Sequence, residues 1–234
     1  MKLTEEGEKQ FMLFESVVYD VKAILERDPA ARNALEVVLL YPGFHAVLWH
    51  KFAHFLYTHK LKFLGRWVSQ VVRFFTGIEI HPGAKIGKGL CIDHGMGVVI
   101  GETAQVGDDC TIYQNVTLGG TGKEKGKRHP TLGDNVMVGS GAKVLGPFRV
   151  GDNSKIAAGA VVLNEVPDDS TCVGVPARVV RREGKRVDHC ADLDQVQIPD
   201  PIAMQLCTMS VHMKNLEREL ETLKKQLEDK NEDL

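Results

Sequence analysis

Between Ile80 and Leu163 an aliphatic residue returns at every sixth place. Ile80, Ile86, Ile92 and Val98 form one run. Ile100, Val106, Ile112 and Leu118 form a second, shifted by two. Leu132, Val138, Val144, Val150, Ile156 and Val162 form a third. Glycine often follows directly, as at Gly87, Gly107, Gly133 and Gly151, and a small residue often stands four places on, as at Ala84, Ala104, Ala142 and Ala160. A period of six matches neither a helix nor an alternating strand. It predicts a parallel β-helix of the left-handed hexapeptide kind, with short strands, tight turns and an inner column of Ile, Val and Leu. Two breaks in phase stand out: the slip between Val98 and Ile100, and the interval from Leu118 to Leu132, where two hexapeptides would give twelve residues and fourteen are found. A solenoid takes extra residues as loops on one face. The glycine-rich, basic stretch 119–130 is therefore predicted to protrude as a substrate-binding loop.

Upstream, Phe11, Phe14, Val17, Val18, Val21 and Leu25 recur at three and four and predict a helix over Glu8–Arg27, closed by Asp28-Pro29. Further helices are predicted over 30–40, 44–58 and 63–76. The last two carry Trp, Phe and Leu on more than one face, so they should be buried between partners, on the β-helix and on another subunit. Downstream, 183–205 is polar, contains Pro199 and Pro201, and reads as a linker. From Leu206 the period becomes seven: Leu206, Met213, Leu220, Leu227 and Leu234, with Met209, Leu216 and Leu223 three places beyond the first three. These are a and d positions of a coiled coil. The expected organisation is α+β: a helical domain over 1–77, the β-helix over 78–182, the linker, and a heptad helix over 206–234.

Composition narrows the function. A formal charge of −2 over 234 residues does not suit a nucleic-acid surface. The five cysteines form no CxxC pair and are odd in number, which points to a reducing, cytoplasmic setting. The polar, acidic start Met1-Lys2-Leu3-Thr4-Glu5-Glu6 is no signal peptide, and no stretch is apolar and long enough to span a membrane. His50 and His54 are four apart, but Lys51 stands where a zincin motif needs Glu, so partly buried helix histidines are expected rather than a metal site. The polar residues in and beside the coil are Glu79, His81, Asp93, His94, Glu102, Arg128 and His129. The spacing of Glu79 and His94 is expected to place them near one corner of adjacent coils, where a carboxylate could orient an imidazole base. The other reading of His81 and His94 is that they decorate turns.

Several runs together resemble the serine O-acetyltransferases: Glu79-Ile80-His81-Pro82-Gly83-Ala84-Lys85-Ile86-Gly87, Asp93-His94-Gly95, Gly101-Glu102-Thr103-Ala104, Thr117-Leu118-Gly119-Gly120-Thr121-Gly122, Arg128-His129-Pro130 and Gly174-Val175-Pro176-Ala177-Arg178. The likeness covers roughly 28–181. It implies acetyl transfer from acetyl-CoA to the hydroxyl of L-serine, with His94 as general base and Glu79, where many members carry Asp, as its orienting partner. It implies that Asp28 and Asp93 hold the substrate ammonium and that Arg128 and His129 hold its carboxylate. CoA would lie between coils of neighbouring subunits, near Gly120, Ser140, Lys155 and Ala158. Neither a metal nor a resident cofactor is implied; acetyl-CoA is a co-substrate. The resemblance further implies a homotrimer, a dimer of trimers in members with a longer helical region, and feedback by L-cysteine. It also implies an O-acetylserine sulfhydrylase complex through a tail ending in Ile, whereas this chain ends Asn231-Glu232-Asp233-Leu234. Three other readings use the same coil. One is an acetyltransferase for a sugar or xenobiotic hydroxyl. Another is a γ-type carbonic anhydrase with zinc on His81, His94 and His129. The third is a non-enzymatic assembly scaffold.

Overall fold

A computed structural model describes residues 5–122, 125–186, 209 and 212–222, with side chains from Glu15 onward. It divides into units Met1–Arg186 and Val187–Leu234. The first unit begins with α1 (Glu5–Arg27), α2 (Ala34–Leu40), α3 (Pro42–Thr58) and α4 (Lys62–Thr76). α2 starts at Ala34 instead of the expected Ala30. Asn33 is its N-cap, accepting from the Glu36 N–H at 2.9 Å, and Asp28 holds the preceding turn by accepting from the Ala30 N–H at 2.8 Å. A cap of this kind satisfies a donor that the first helical turn leaves unpaired.

The repeat then winds into three parallel sheets. Sheet A stacks β1 (Glu79–Ile80), β4 (Val99–Ile100), β7 (Thr117–Gly119), β10 (Lys143–Leu145) and β13 (Val161–Val162). Sheet B stacks β2 (Lys85–Ile86), β5 (Gln105–Val106), β8 (Thr131–Leu132) and β11 (Arg149–Val150). Sheet C stacks β3 (Cys91–Asp93), β6 (Thr111–Tyr113), β9 (Met137–Val138), β12 (Lys155–Ile156) and β14 (Ser170–Gly174), and continues antiparallel through β15 (Ala177–Arg182) and β16 (Lys185–Arg186). The predicted column is the core: Ile80, Ile100, Leu118, Val144 and Val162 align on A, and Ile92, Ile112, Val138, Ile156 and Cys172 on C, all buried. This is the left-handed hexapeptide β-helix.

The register corrects the arithmetic of the breaks. Leu118 and Leu132 occupy successive sides of one coil, so one hexapeptide separates them and the loop carries eight further residues. At the first break Val98 is a buried corner residue and Ile100 takes the next side. The two extra residues thus fall in the corner that follows β3, the corner that holds His94.

The corner between sheets B and C is the most regular. Asp108, Asp134, Asp152 and Asp168 each accept from a backbone N–H one coil below, at 2.7–2.9 Å. A Cβ on Gly87, Gly107, Gly133 or Gly151 would meet these carboxylates or the facing glycine backbone within 2.6 Å, which is why glycine follows the aliphatic residue here. α1 is latched to the same corner. Its Asp20 takes Lys51 Nζ at 2.5 Å and the Gly89 N–H at 2.8 Å, while Arg27 donates to the carbonyls of Gly89 and Cys110.

His50 lies in the contact between α3 and the coil, 5 % exposed, with no hydrogen-bond partner for Nδ1. Burial, then the neighbouring His54, pushes it down to about 3 from 6.5, against a hydrogen bond with the Ala84 backbone that works the other way. Below about 6.5 the unfolded chain takes up a proton that the folded chain refuses. Stability should therefore fall as pH drops from 6.5 towards 3, by roughly 1.4 kcal/mol per unit. Urea midpoints of the wild type and His50→Gln across this range check it: the variant should show the shallower dependence.

The expectation that α3 and α4 are buried between partners is met on one side only. Gly65 of α4 packs against the α3 backbone, and Ser69 is buried. Phe63, Phe74 and Phe75 are about 80 % exposed in the single chain. In the second unit the described residues 212–222 are helical, as the heptads predict. Most of the linker, the remaining heptads and the chain end with its sulfhydrylase-docking reading lie outside the described residues. Among the described residues no helix is long and apolar enough to cross a membrane.

Candidate active site

The site residues fall on two different edges of the prism. On the edge between sheets C and A, β3 ends in Asp93 and the chain turns through His94 with φ 56°, a left-handed conformation uncommon outside glycine and asparagine. The turn pushes the imidazole outward: its side chain is 75 % exposed, and Nε2 lies 3.9 Å from Asp93 Oδ1. Gly95 supports the corner, since a Cβ there would meet Ile78 at 2.5 Å. The helices bring Asp28 alongside. Gly43, in the first turn of α3, seats against the Ile92 carbonyl, where a Cβ would stand at 2.1 Å. Tyr41 just before it donates its phenol to Asp28 Oδ2 at 2.8 Å. Burial, then the Asp28 hydrogen bond and the charges of Asp28, Glu36 and Asp93 push the Tyr41 phenol up to about 12. The charges of both Asp28 and Asp93 act on the Tyr41 phenol, so the two carboxylates stand on the side of the coil that carries His94.

Glu79 does not meet His94 as the spacing suggested. Its register partner is Val99, twenty residues on, because of the two-residue insertion. Its carboxylate accepts from Arg66 at 2.7 Å and pairs with Arg73 at 3.1 Å. Burial would raise its pKa, but the Arg66 hydrogen bond and the two guanidinium charges outweigh that and lower it. In the single chain the carboxylate paired with His94 is Asp93. The signal for these arginines was in the sequence: Arg66 and Arg73 are seven apart and share a face of α4, which runs into the strand that carries Glu79.

On the edge between sheets A and B stand His81, Glu102, and Arg128 with His129. Thr103 organises the loop. Its Oγ1 accepts from the backbone N–H groups of Arg128 and His129, at 3.0 and 3.1 Å, so its own proton goes to His129 Nδ1 at 2.9 Å. The Thr103 N–H also points at Nδ1, at 3.2 Å. With Nδ1 the acceptor, the ring proton of neutral His129 sits on Nε2. Burial and then the Arg128 charge lower its pKa, favouring that neutral form. Gly101 leaves room for the ring, which a Cβ would meet at 2.0 Å. Arg128 is ion-paired with Glu102, whose other oxygen accepts from Tyr57. In the sequence Thr103 and Tyr41 stand within family-like runs that give neither of them a task, and Tyr57 stands out in no way. None of these shows in periodicity, because each acts through one hydroxyl.

Residues 3–48 match the family described as "Serine acetyltransferase, N-terminal", and 129–164 match "Bacterial transferase hexapeptide (six repeats)". The chain is 53 % identical over 221 residues to a serine acetyltransferase of Bacillus subtilis, covering 94 % of this chain and 98 % of that protein. The chain belongs to the serine acetyltransferase family. Solved serine acetyltransferases superpose on it. One from Neisseria gonorrhoeae in complex with serine has TM-score 0.71 and 44 % identity over 73 % of this chain and 70 % of that one. One from Brucella abortus in complex with coenzyme A has TM-score 0.73 and 43 % identity over 75 % and 70 %. A third, in complex with cysteine, has TM-score 0.73 and 41 % identity over 75 % and 68 %.

Against the serine acetyltransferase expectation for CoA, the structure divides the four residues. Ser140 and Ala158 lie on the His94 edge, on later coils, joined by the Gly159 N–H donating to the Ser140 carbonyl at 2.8 Å. Lys155 points outward from β12 on the adjoining sheet C. Gly120 lies on the other edge, against the Arg128 backbone. Among the described residues no group of three His, Cys, Asp or Glu is placed to hold a metal ion.

Proposed function

We propose that the chain is a serine O-acetyltransferase whose complete site forms between two subunits of a homotrimer. The observation that carries this reading is the division of the site. Asp28, Asp93 and His94 occupy one edge and Arg128 and His129 another, with sheet A between them. One copy holds an ammonium site and a base, and the next copy supplies the carboxylate site. An amino acid with a hydroxyl needs all three. A sugar needs neither charged contact, and family membership stands against the zinc-enzyme and scaffold readings.

In this reading the serine ammonium sits between the Asp28 and Asp93 carboxylates. Its carboxylate takes the Arg128 fork and the Nε2–H of His129. His94 removes the hydroxyl proton as the oxygen attacks the thioester carbonyl. The tetrahedral oxyanion is met by backbone N–H groups at Gly120. The intermediate collapses with loss of the CoA thiolate, which takes the proton back from His94. Glu79, kept ionised by Arg66 and Arg73, ties α4 to the first strand of sheet A instead of touching His94. The extended arm of CoA runs along the His94 edge past Ser140 and Ala158, with Lys155 beside its phosphates, and Gly120 comes from the neighbouring copy. The complexes of relatives with serine, coenzyme A and cysteine support these ligands for this chain. L-cysteine presents the same ammonium and carboxylate and would compete for the same groups.

Loss of thioester absorbance from acetyl-CoA tests the reading, with L-serine offered beside D-serine, L-threonine and galactose. Turnover should depend on L-serine and fall when L-cysteine is added. Equal turnover with galactose would leave the base and remove the amino-acid site.

A further inference from the structure

The Arg128 guanidinium is held by groups that are not part of the substrate site. Glu102 divides its two carboxylate oxygens: one accepts from the Tyr57 phenol at 2.8 Å, the other is ion-paired with Arg128. Tyr57 belongs to the last turn of α3, so the network starts in the helical segment. Its ring is fixed edge-on to His81, with centroids 5.6 Å apart, and Lys62 Nζ stands over it at 5.3 Å. Glu102 is seated on Gly83, where a Cβ would come within 3.1 Å of its Cγ and its carbonyl oxygen. Among the described residues the guanidinium makes one further hydrogen bond, from Nη1 to the Gly126 carbonyl at 3.3 Å. Among the described residues two of its five N–H donors are thereby occupied, and the rest of the fork can take a second carboxylate.

We propose that Tyr57 and Glu102 are positioning residues that aim Arg128, and that through this aim the helical segment sets how strictly the enzyme demands a carboxylate on its acceptor. The inference rests on the reading of Arg128 as the carboxylate-binding group. The physical case is one of order. Arg128 stands on a glycine-rich loop, and a long side chain there would otherwise spread over many rotamers. A charge-assisted bond to a carboxylate that is itself tethered removes most of them. Glu102 also has an opposing effect, since its negative charge weakens the pull of Arg128 on a second anion. Both side chains of the pair are about a third exposed, so solvent screens that charge, whereas nothing else in the contacts described replaces the aim. Aim should therefore win, and loss of Glu102 should weaken serine recognition.

The test compares L-serine with L-serinamide, which keeps the ammonium and the hydroxyl but loses the carboxylate charge. The readout is the ratio of kcat/KM for the two acceptors in the wild type, Glu102→Gln, Tyr57→Phe and Arg128→Ala. Arg128→Ala should lower the ratio furthest, leaving the His129 Nε2–H alone to tell the two acceptors apart. Glu102→Gln should lower it roughly tenfold and Tyr57→Phe about threefold, through KM for L-serine, with kcat and KM for acetyl-CoA within about twofold of wild type. Tyr57→Phe removes a single hydroxyl and carries the test if Glu102→Gln folds poorly. A ratio that collapses in Arg128→Ala but stays at the wild-type value in both other variants would overturn the positioning role alone. So would an equal loss with both acceptors, which marks a merely structural role, or a higher ratio in Glu102→Gln. A wild-type ratio in Arg128→Ala would overturn the carboxylate reading of Arg128 and the inference with it.

Discussion

Replacing His94 with alanine is expected to lower kcat with L-serine by roughly 10²–10⁴-fold, the range typical for losing a positioned general base, while the affinity for CoA is kept. The serine hydroxyl is a poor nucleophile until its proton is drawn off during attack, and His94 is the proposed base, next to Asp93. The placing of Asp28 does not depend on the imidazole. It is set by the Tyr41–Asp28 hydrogen bond and by the packing of Gly43 on β3. The proposed CoA contacts run along later coils, at Ser140 and Ala158. Removing the ring should therefore leave both binding surfaces standing. The variant is checked by kcat for acetyl transfer beside calorimetric binding of CoA. Turnover close to wild type would take His94 out of the mechanism. Loss of CoA binding together with turnover would mean that the corner, not the base, had been damaged.

A second result should be visible as a gain. His94→Ala and Arg128→Ala are each expected to be nearly inactive as pure assemblies, yet co-expression should restore activity. In the proposed trimer a closed ring joins unlike surfaces of neighbours, so each site would use one edge from each of two copies. In random trimers from equal amounts of the two variants, about a quarter of the sites then combine an intact His94 edge with an intact Arg128 edge. Recovery of activity towards that fraction, in co-purified material with two different tags, is the expected outcome. If both edges of a site came from the same chain, mixing would restore nothing. The result would also account for the loop that carries Arg128: a loop serving its own chain would have to reach across sheet A, whereas one serving a neighbour need only protrude.

The sequence displayed the coil far more clearly than the site. A column of aliphatic residues has one physical requirement, exclusion of water from every turn, and it repeats with every turn. Ile100 and Leu118, three hexapeptides apart, could therefore be placed on one sheet without coordinates. The two interruptions of that period could also be seen, and they hold the proposed site residues: the inserted corner carries His94, and the loop with the eight-residue insertion carries Arg128 and His129. Their size was harder to read, because counting sixes along the chain cannot tell a skipped side from an added loop. The position of Glu79 was lost for the same reason. Two extra residues shift the vertical neighbours, so a spacing that suggests contact with His94 becomes a carboxylate facing Arg66 and Arg73. The start of α2 was set by one capping side chain, Asn33, against a proline-based estimate. Contacts made by single hydroxyls, those of Tyr41, Tyr57 and Thr103, join segments far apart in the chain and leave no periodic trace.

The rigid stacking held by the Asp108–Asp168 column has a consequence for molecular length. Successive coils are separated by one strand spacing, about 4.8 Å, and the glycines beneath the aspartates leave no room to alter it. Counted along the His94 edge, Ala158 stands three coils from the base, roughly 14 Å away by the same spacing. The solenoid is in that sense a gauge with fixed graduations. Splicing in one more complete turn between β10 and β13 would move the far mark by one graduation and leave the acyl end untouched. The reach of acyl carrier that the enzyme accepts can then change only in whole steps, never by gradual drift.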